Sequence, residues 1–208
     1  MVISQPRGIC MIDQKDFQRI KKEIESFEAK REELIKRSRI ILKSSKQAIY
    51  SIHRNNMNSA DKLLKQAEKE ISLIKRSIVS NQKLDNVGAF SAAVQEYVEG
   101  KCYYGFVRDG CIPSCTKLKV NNEDYLLGLC DLTGELGRRA VMLVINNNIK
   151  EVHQIKEVVE QIFGLFLQLN LRNSELRKKS DAIKWNLKKI EGIIYDIKTR
   201  GLEDGRAH

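Results

Sequence analysis

An all-α chain of six or seven helices is what this sequence predicts, on three observations. Only two prolines, Pro6 and Pro113, occur in 208 residues, where an average chain of that length carries about ten. Apolar residues recur at helical spacing along almost the whole chain, and no stretch of period-2 alternation competes with them. Charged residues make up 31%, which suits long solvent-facing helices better than a sandwich or barrel.

The first helix is expected over about 13–54, because Ile20, Phe27, Leu34, Ile41 and Ala48 fall seven apart and Ile35, Leu42 and Ile49 flank them. At 1.5 Å per residue such a helix is about 60 Å long. That exceeds what a chain of this size buries, so part of it should project, bend or meet another copy. The Asn-rich segment 55–58 ends it. Ala60, Leu63, Leu64, Ala67, Ile71, Ile74 and Ile78 define a second helix, capped at Asn58 or Ser59. A third covers about 86–107, and a turn-like segment 108–119 follows it. Asn122 is the expected N-cap of a fourth helix, with Glu123 and Asp124 in its first turn. This helix runs to about 145 and closes at the asparagines 146–148. A fifth covers about 152–169. The sixth opens at Asn173 or Ser174 and carries Ile183, Leu187, Ile190, Ile194 and Ile197 on one stripe, with Gly201 placed for a left-handed cap. The expected organisation is one bundle of long antiparallel helices over 13–201, between tails at 1–12 and 202–208.

Composition narrows the function. A hydrophobic share of 42% excludes disorder of the whole chain. No apolar run approaches the ~18 residues that cross a bilayer, and the first residues lack the pattern of a secretory signal. Five cysteines at irregular spacing fit free thiols in the cytoplasm better than a disulfide framework. Cys111 and Cys115 have no accompanying His or second cysteine pair, so zinc is not expected. Trp185 and the segment 163–166 with its two phenylalanines fit core or subunit contacts better than base stacking.

The net charge of +10 is concentrated. No acidic residue occurs in residues 34–60, whereas Lys36, Arg37, Arg39, Lys43, Lys46 and Arg54 are basic. At 100° per residue Lys36, Arg39, Lys43, Lys46, Tyr50 and Arg54 fall within about 80°, mostly opposite the apolar seam. His53 lies next to this line in sequence. One sign of charge over that length points to a polyanion such as single-stranded RNA or DNA. A solvated face is the plainer alternative, and a membrane surface the weaker polyanion because the other face is committed to packing.

The third helix places Glu96 and Glu99 three apart, and the fourth places Asp131 and Glu135 four apart, so each pair shares a face. Their neighbours Val94, Val98, Leu129, Leu132 and Leu136 are apolar. Carboxylates in such surroundings need positive compensation. A hard divalent cation, Mg2+ or Mn2+, would supply it. So would salt bridges from Arg138, Arg139 or Lys101, and spacing does not choose between them.

Longer motifs add a resemblance. Gln95-Glu96-Tyr97-Val98-Glu99 together with Asp124-Tyr125-Leu126-Leu127-Gly128 and Asp131-Leu132-Thr133-Gly134-Glu135-Leu136 resembles the Trax branch of the translin/Trax family. The last helix, from Leu169 through Lys179 to Gly201, is more similar to the translin branch. The likeness extends over about 17–201. It implies a seven-helix fold that assembles into hollow homo-oligomers, octamers or hexamers, around single-stranded nucleic acid. It also implies Mg2+-dependent endoribonuclease activity in the Trax branch and binding alone in the translin branch. By resemblance the catalytic, metal-holding acids are Glu96, Glu99 and Asp131, with Glu135 as a fourth. By the same resemblance, translin-type chains carry an apolar residue at the Asp131 position, so Asp131 moves this chain toward the enzyme side. Two departures are a shortened loop at 108–119 and the translin-like last helix. The function expected is therefore a Mg2+-dependent endoribonuclease on single-stranded RNA and short duplexes, with Lys36, Arg39, Lys43, Lys46, His53 and Arg54 as nucleic-acid contacts. The alternative is a non-catalytic binding oligomer of translin type.

Overall fold

The computed structural model describes residues 12–78, 88–172 and 174–199. They form seven helices and no strand: α1 (Gln14–His53), α2 (Met57–Ile78), α3 (Gly88–Asp109), α4 (Cys115–Leu118), α5 (Asn122–Ile145), α6 (Ile149–Leu167) and α7 (Glu175–Thr199). The one element the periodicity did not separate is α4, a single turn in the segment after α3. At four residues it is too short to show a period.

Capping explains the boundaries. The Asp13 carboxylate accepts from the Lys15 and Asp16 amides at the start of α1. Asn56, rather than Asn58 or Ser59, caps α2 by accepting from the Ser59 amide at 3.1 Å. Asn121, rather than Asn122, caps α5 by accepting from the Asp124 amide at 2.7 Å. The asparagine clusters after α1 and α5 each hold one residue in the left-handed region, Asn55 and Asn147, a conformation asparagine tolerates better than most residues. α6 begins three residues earlier than its apolar pattern suggested. The cap position proposed for Gly201 lies outside the described residues.

α3 and α5 form the central pair. α1 and α2 pack on α3, while α6 and α7 pack on α5. The core runs through both groups, with Ile41, Ile52, Leu64, Tyr97, Val98, Leu132, Leu136, Ile155 and Ile190 almost fully buried. Two glycines permit close approaches between these helices. A Cβ on Gly128 of α5 would lie 2.7 Å from the Val98 side chain and 2.8 Å from the Gln95 carbonyl oxygen of α3. One on Gly100 of α3 would lie 3.1 Å from Leu64 of α2.

The apolar seam of α1 is buried only from Leu34 onward. Residues 14–33, about 30 Å of helix at 1.5 Å each, project with Phe17, Ile20 and Ile24 exposed. Among the described residues no helix is long and apolar enough to cross a membrane.

Candidate functional site

Because Gly128 draws α5 onto α3, Glu96 and Glu99 of one helix share a field with Asp131 and Glu135 of the other. Glu99 is the deepest, with 8% of its surface exposed. Burial, then Glu96, Asp131 and Glu135, pushes its carboxyl up to about 9, with Lys179 opposing. Glu99 therefore carries a proton at neutral pH when no metal is present. Burial also raises the Glu96 carboxyl, against the pull of Lys46. Glu135 moves the other way, chiefly because a hydrogen bond from His53 favours its ionised form.

Each acid but Glu99 meets a cation or an imidazole. Lys46 Nζ lies 4.0 Å from Glu96 Oε2, and Lys179 Nζ lies 2.6 Å from Asp131 Oδ2. Arg138 lies 3.7 Å from Glu135, and His53 Nε2 donates to the same carboxylate. The Tyr103 hydroxyl, pushed up to about 12 mainly by burial, stays protonated and faces His53 Nδ1 at 3.1 Å. An ionised Glu135 only accepts, which assigns the imidazole proton to Nε2 and leaves Nδ1 to accept from Tyr103. Of the salt-bridge partners considered from sequence, Arg138 alone joins these acids. Lys101 pairs with Glu68 and Arg139 with Glu151.

The cationic line on α1 is where the helical wheel puts it. Lys36, Arg39, Lys43, Lys46, Tyr50 and Arg54 are all exposed, opposite the buried face of Leu34, Ile41, Ala48 and Ile52. Arg54 stacks on the Tyr50 ring at 5.7 Å. Arg37 is diverted to Glu33 and Glu70, each at 2.8 Å. His53 departs from the expected line. Its side chain is only 8% exposed and turns inward to Glu135, so the structure groups it with the acids instead of the exposed cations.

Three participants escaped the sequence reading as site residues: Lys179, Gln95 and Tyr103. Lys179 ends the run Arg177-Lys178-Lys179, and nothing local marks it off from its neighbours. Tyr103 and Gln95 read as ordinary buried helix positions. Helical phase was the one available signal, since Tyr103 lies four and seven residues beyond Glu99 and Glu96.

Among the described residues no three His, Cys, Asp or Glu side chains converge closely enough to hold a metal as they stand. The donor set nevertheless fits a hard divalent ion. Its oxygens are all carboxylate, and among the described residues Glu99 makes no salt bridge while Glu96, Asp131 and Glu135 all raise its carboxyl. Glu96, Glu99 and Asp131, with Glu135 beside them, are the residues that would hold it.

Comparison with known proteins gives a consistent assignment. The Translin family model matches residues 29–201. The chain is 28% identical over 203 residues to the translin-associated protein X homolog of Schizosaccharomyces pombe, covering 88% of this chain and 87% of that protein. It is similar to the solved apo form of NeC3PO, with 28% identity, a TM-score of 0.81 and coverage of 89% of this chain and 97% of that one. It shares the fold of AfC3PO, solved as a complex with duplex RNA, at 24% identity and a TM-score of 0.79, over 88% of this chain and 97% of that one.

Proposed function

The chain belongs to the translin family, and from that premise we propose that it is a metal-dependent endoribonuclease acting on single-stranded RNA within a closed homo-oligomer. One observation carries the reading. The exposed cationic line of α1 runs directly into the acid cluster, where Lys46 Nζ lies 4.0 Å from Glu96 Oε2. A strand tracked by Lys36, Arg39, Lys43 and Arg54 is thereby delivered to the carboxylates. The duplex RNA held by a protein of the same fold supports RNA as the polyanion, short duplexes included. Exposed Phe17, Ile20 and Ile24 on α1, and Val141, Met142 and Ile145 at the end of α5, support assembly with further copies, as an octamer or hexamer.

Glu96, Glu99 and Asp131 would hold a hard divalent cation, Mg2+ or Mn2+, which would supply Lewis-acid polarisation of the scissile phosphate and a more acidic water. Glu135, kept ionised by His53, accepts the proton of the attacking water. Water takes the place of the 3′-oxygen on phosphorus, so the 2′-hydroxyl is not consumed and the products carry 5′-phosphates. Incubating labelled single-stranded RNA with wild type and Asp131→Asn, each in Mg2+ and in EDTA, tests this. Cleavage is expected from wild type in Mg2+ only, and cleavage undiminished by EDTA would overturn the mechanism.

A second reading rests on the engagement of Glu96, Asp131 and Glu135 by Lys46, Lys179 and His53. In a non-catalytic RNA- or DNA-binding oligomer those contacts are structural. RNA then binds without product in either Mg2+ or Mn2+.

A further inference from the structure

We infer that Lys179 of α7 is the cationic member of the catalytic centre, contacting the non-bridging oxygens of the scissile phosphate. This deepens the nuclease reading and rests on it. Lys179 Nζ donates to Asp131 Oδ2 at 2.6 Å and to Gln95 Oε1 at 3.4 Å. With its side chain 30% exposed, it sits at the edge of the acid cluster and remains open to solvent, whereas Arg177 and Lys178 point away and are exposed. An ammonium has three donors, and two are accounted for.

The second contact is a constructed one. Gln95 is 8% exposed, and its Nε2 donates to Ser91 Oγ at 3.0 Å and to Asp124 Oδ1 at 3.3 Å. Those two acceptors determine that the amide oxygen, and not the nitrogen, faces Lys179. Asp124, 3% exposed, is held in turn by the Ser91 hydroxyl at 2.5 Å and by Asn121 Nδ2 at 2.6 Å. A half-exposed ion pair adds little to stability, so a buried polar chain from α3 and α5 is not needed merely to keep Lys179 beside Asp131. It does keep the ammonium at the site when Asp131 is occupied otherwise.

That circumstance is the one the nuclease reading requires. A cation held by Asp131 would compete with Lys179 for that carboxylate, while Gln95 would still anchor the ammonium on the α7 side of the acids. Lys46 lies on the α1 side, with its side chain 62% exposed. The acids are thus flanked by two lysines with different settings. Lys46 is free to track the backbone, and Lys179 is fixed where charge develops on phosphorus. As water's oxygen bonds to phosphorus, the bond to the 3′-oxygen breaks. Glu135 takes one proton from the water, and the leaving oxygen takes one from solvent. Lys179 stabilises the charge on the non-bridging oxygens.

The test compares wild type, Lys179→Met and Lys179→Arg as full chains. It uses multiple-turnover cleavage of single-stranded RNA in saturating Mg2+, with Mn2+ affinity measured separately from free-ion electron paramagnetic resonance. Lys179→Met is expected to lower kcat about 10²-fold, the scale for losing one transition-state donor. KM should stay within about threefold, Mn2+ should bind as tightly or more tightly, and Lys179→Arg should recover part of the rate. Retention of kcat by Lys179→Met overturns the inference, and so does a parallel loss of kcat and Mn2+ affinity, which marks a structural role. If wild type itself shows no EDTA-sensitive cleavage, the proposed function fails and takes this inference with it.

Discussion

Replacing Glu99 by glutamine should make the metal-free protein more stable, although it removes a proposed ligand. Glu99 titrates near 9 in the folded chain because it is buried among like charges, whereas an unfolded glutamate titrates near the usual value of about 4.3. Between those values the folded state holds a proton that the unfolded state has released, so stability falls as pH rises through that window. At pH 7.5 the gap is about three pH units, or about 4 kcal/mol at 1.36 kcal/mol per unit. The side chain is almost wholly inside, so solvent screening removes little of it. A glutamine at 99 is neutral in both states and escapes the whole effect. For a chain of this size the difference corresponds to a rise in Tm of roughly 10 °C. Thermal melts of wild type and Glu99→Gln in EDTA at pH 4.5, 6, 7.5 and 8.5 measure it. The two should coincide at pH 4.5 and separate steadily above it, and Mn2+ at pH 8.5 should raise the Tm of wild type alone. A constant offset across pH, or a less stable glutamine variant at pH 8.5, would refute the reasoning.

Other perturbations probe the scaffold and the cationic line. Gly128→Ala should cost about 1–3 kcal/mol in urea denaturation, because its Cβ would lie 2.8 Å from a backbone carbonyl that cannot step aside. Gly137→Ala on the same helix meets nothing within 4 Å and should stabilise by roughly 0.5–1 kcal/mol. The double variant Lys43→Glu, Lys46→Glu should weaken single-stranded RNA binding and flatten the plot of log K against log salt by about 1.4, two phosphate contacts at about 0.7 each. Unchanged slopes would remove those lysines from the interface. Serine at Phe17, Ile20 and Ile24 should lower the mass measured by light scattering without moving the far-ultraviolet circular dichroism, since these three side chains are exposed and lie outside the described core.

The legible part of this molecule is the part governed by local repetition. Heptad spacing from Ile20 to Ala48 identifies α1, and its acid-free stretch identifies the cationic line, because both depend only on how far a helix turns between neighbours. Spacings of three and four put Glu96 with Glu99 and Asp131 with Glu135 for the same reason. Cap positions were misread by one to three residues at α2 and α5, where runs of Asn and Ser offer several equivalent side chains and only the local backbone selects one. Arithmetic on helix length required that part of α1 project, bend or meet another copy, and the burial pattern assigned the projection to residues 14–33.

Tertiary structure alone decided which helices meet and what each acid then feels. Gly128 carries no sign in the sequence that it faces Val98, yet that approach is what joins two unremarkable carboxylate pairs into one cluster. His53 sits at the border of the exposed face, and packing against Tyr103 turns it inward. Lys179 is one of three consecutive cations, and only its place across from Asp131, 48 residues away in sequence, makes it different. Periodicity is a property of one helix, whereas burial and Coulomb energy depend on distances between helices. The sequence by itself therefore determined the helices and the direction of their faces, and the packing of α1, α3, α5 and α7 determined the charge state of Glu99 and the partners of the acids around it.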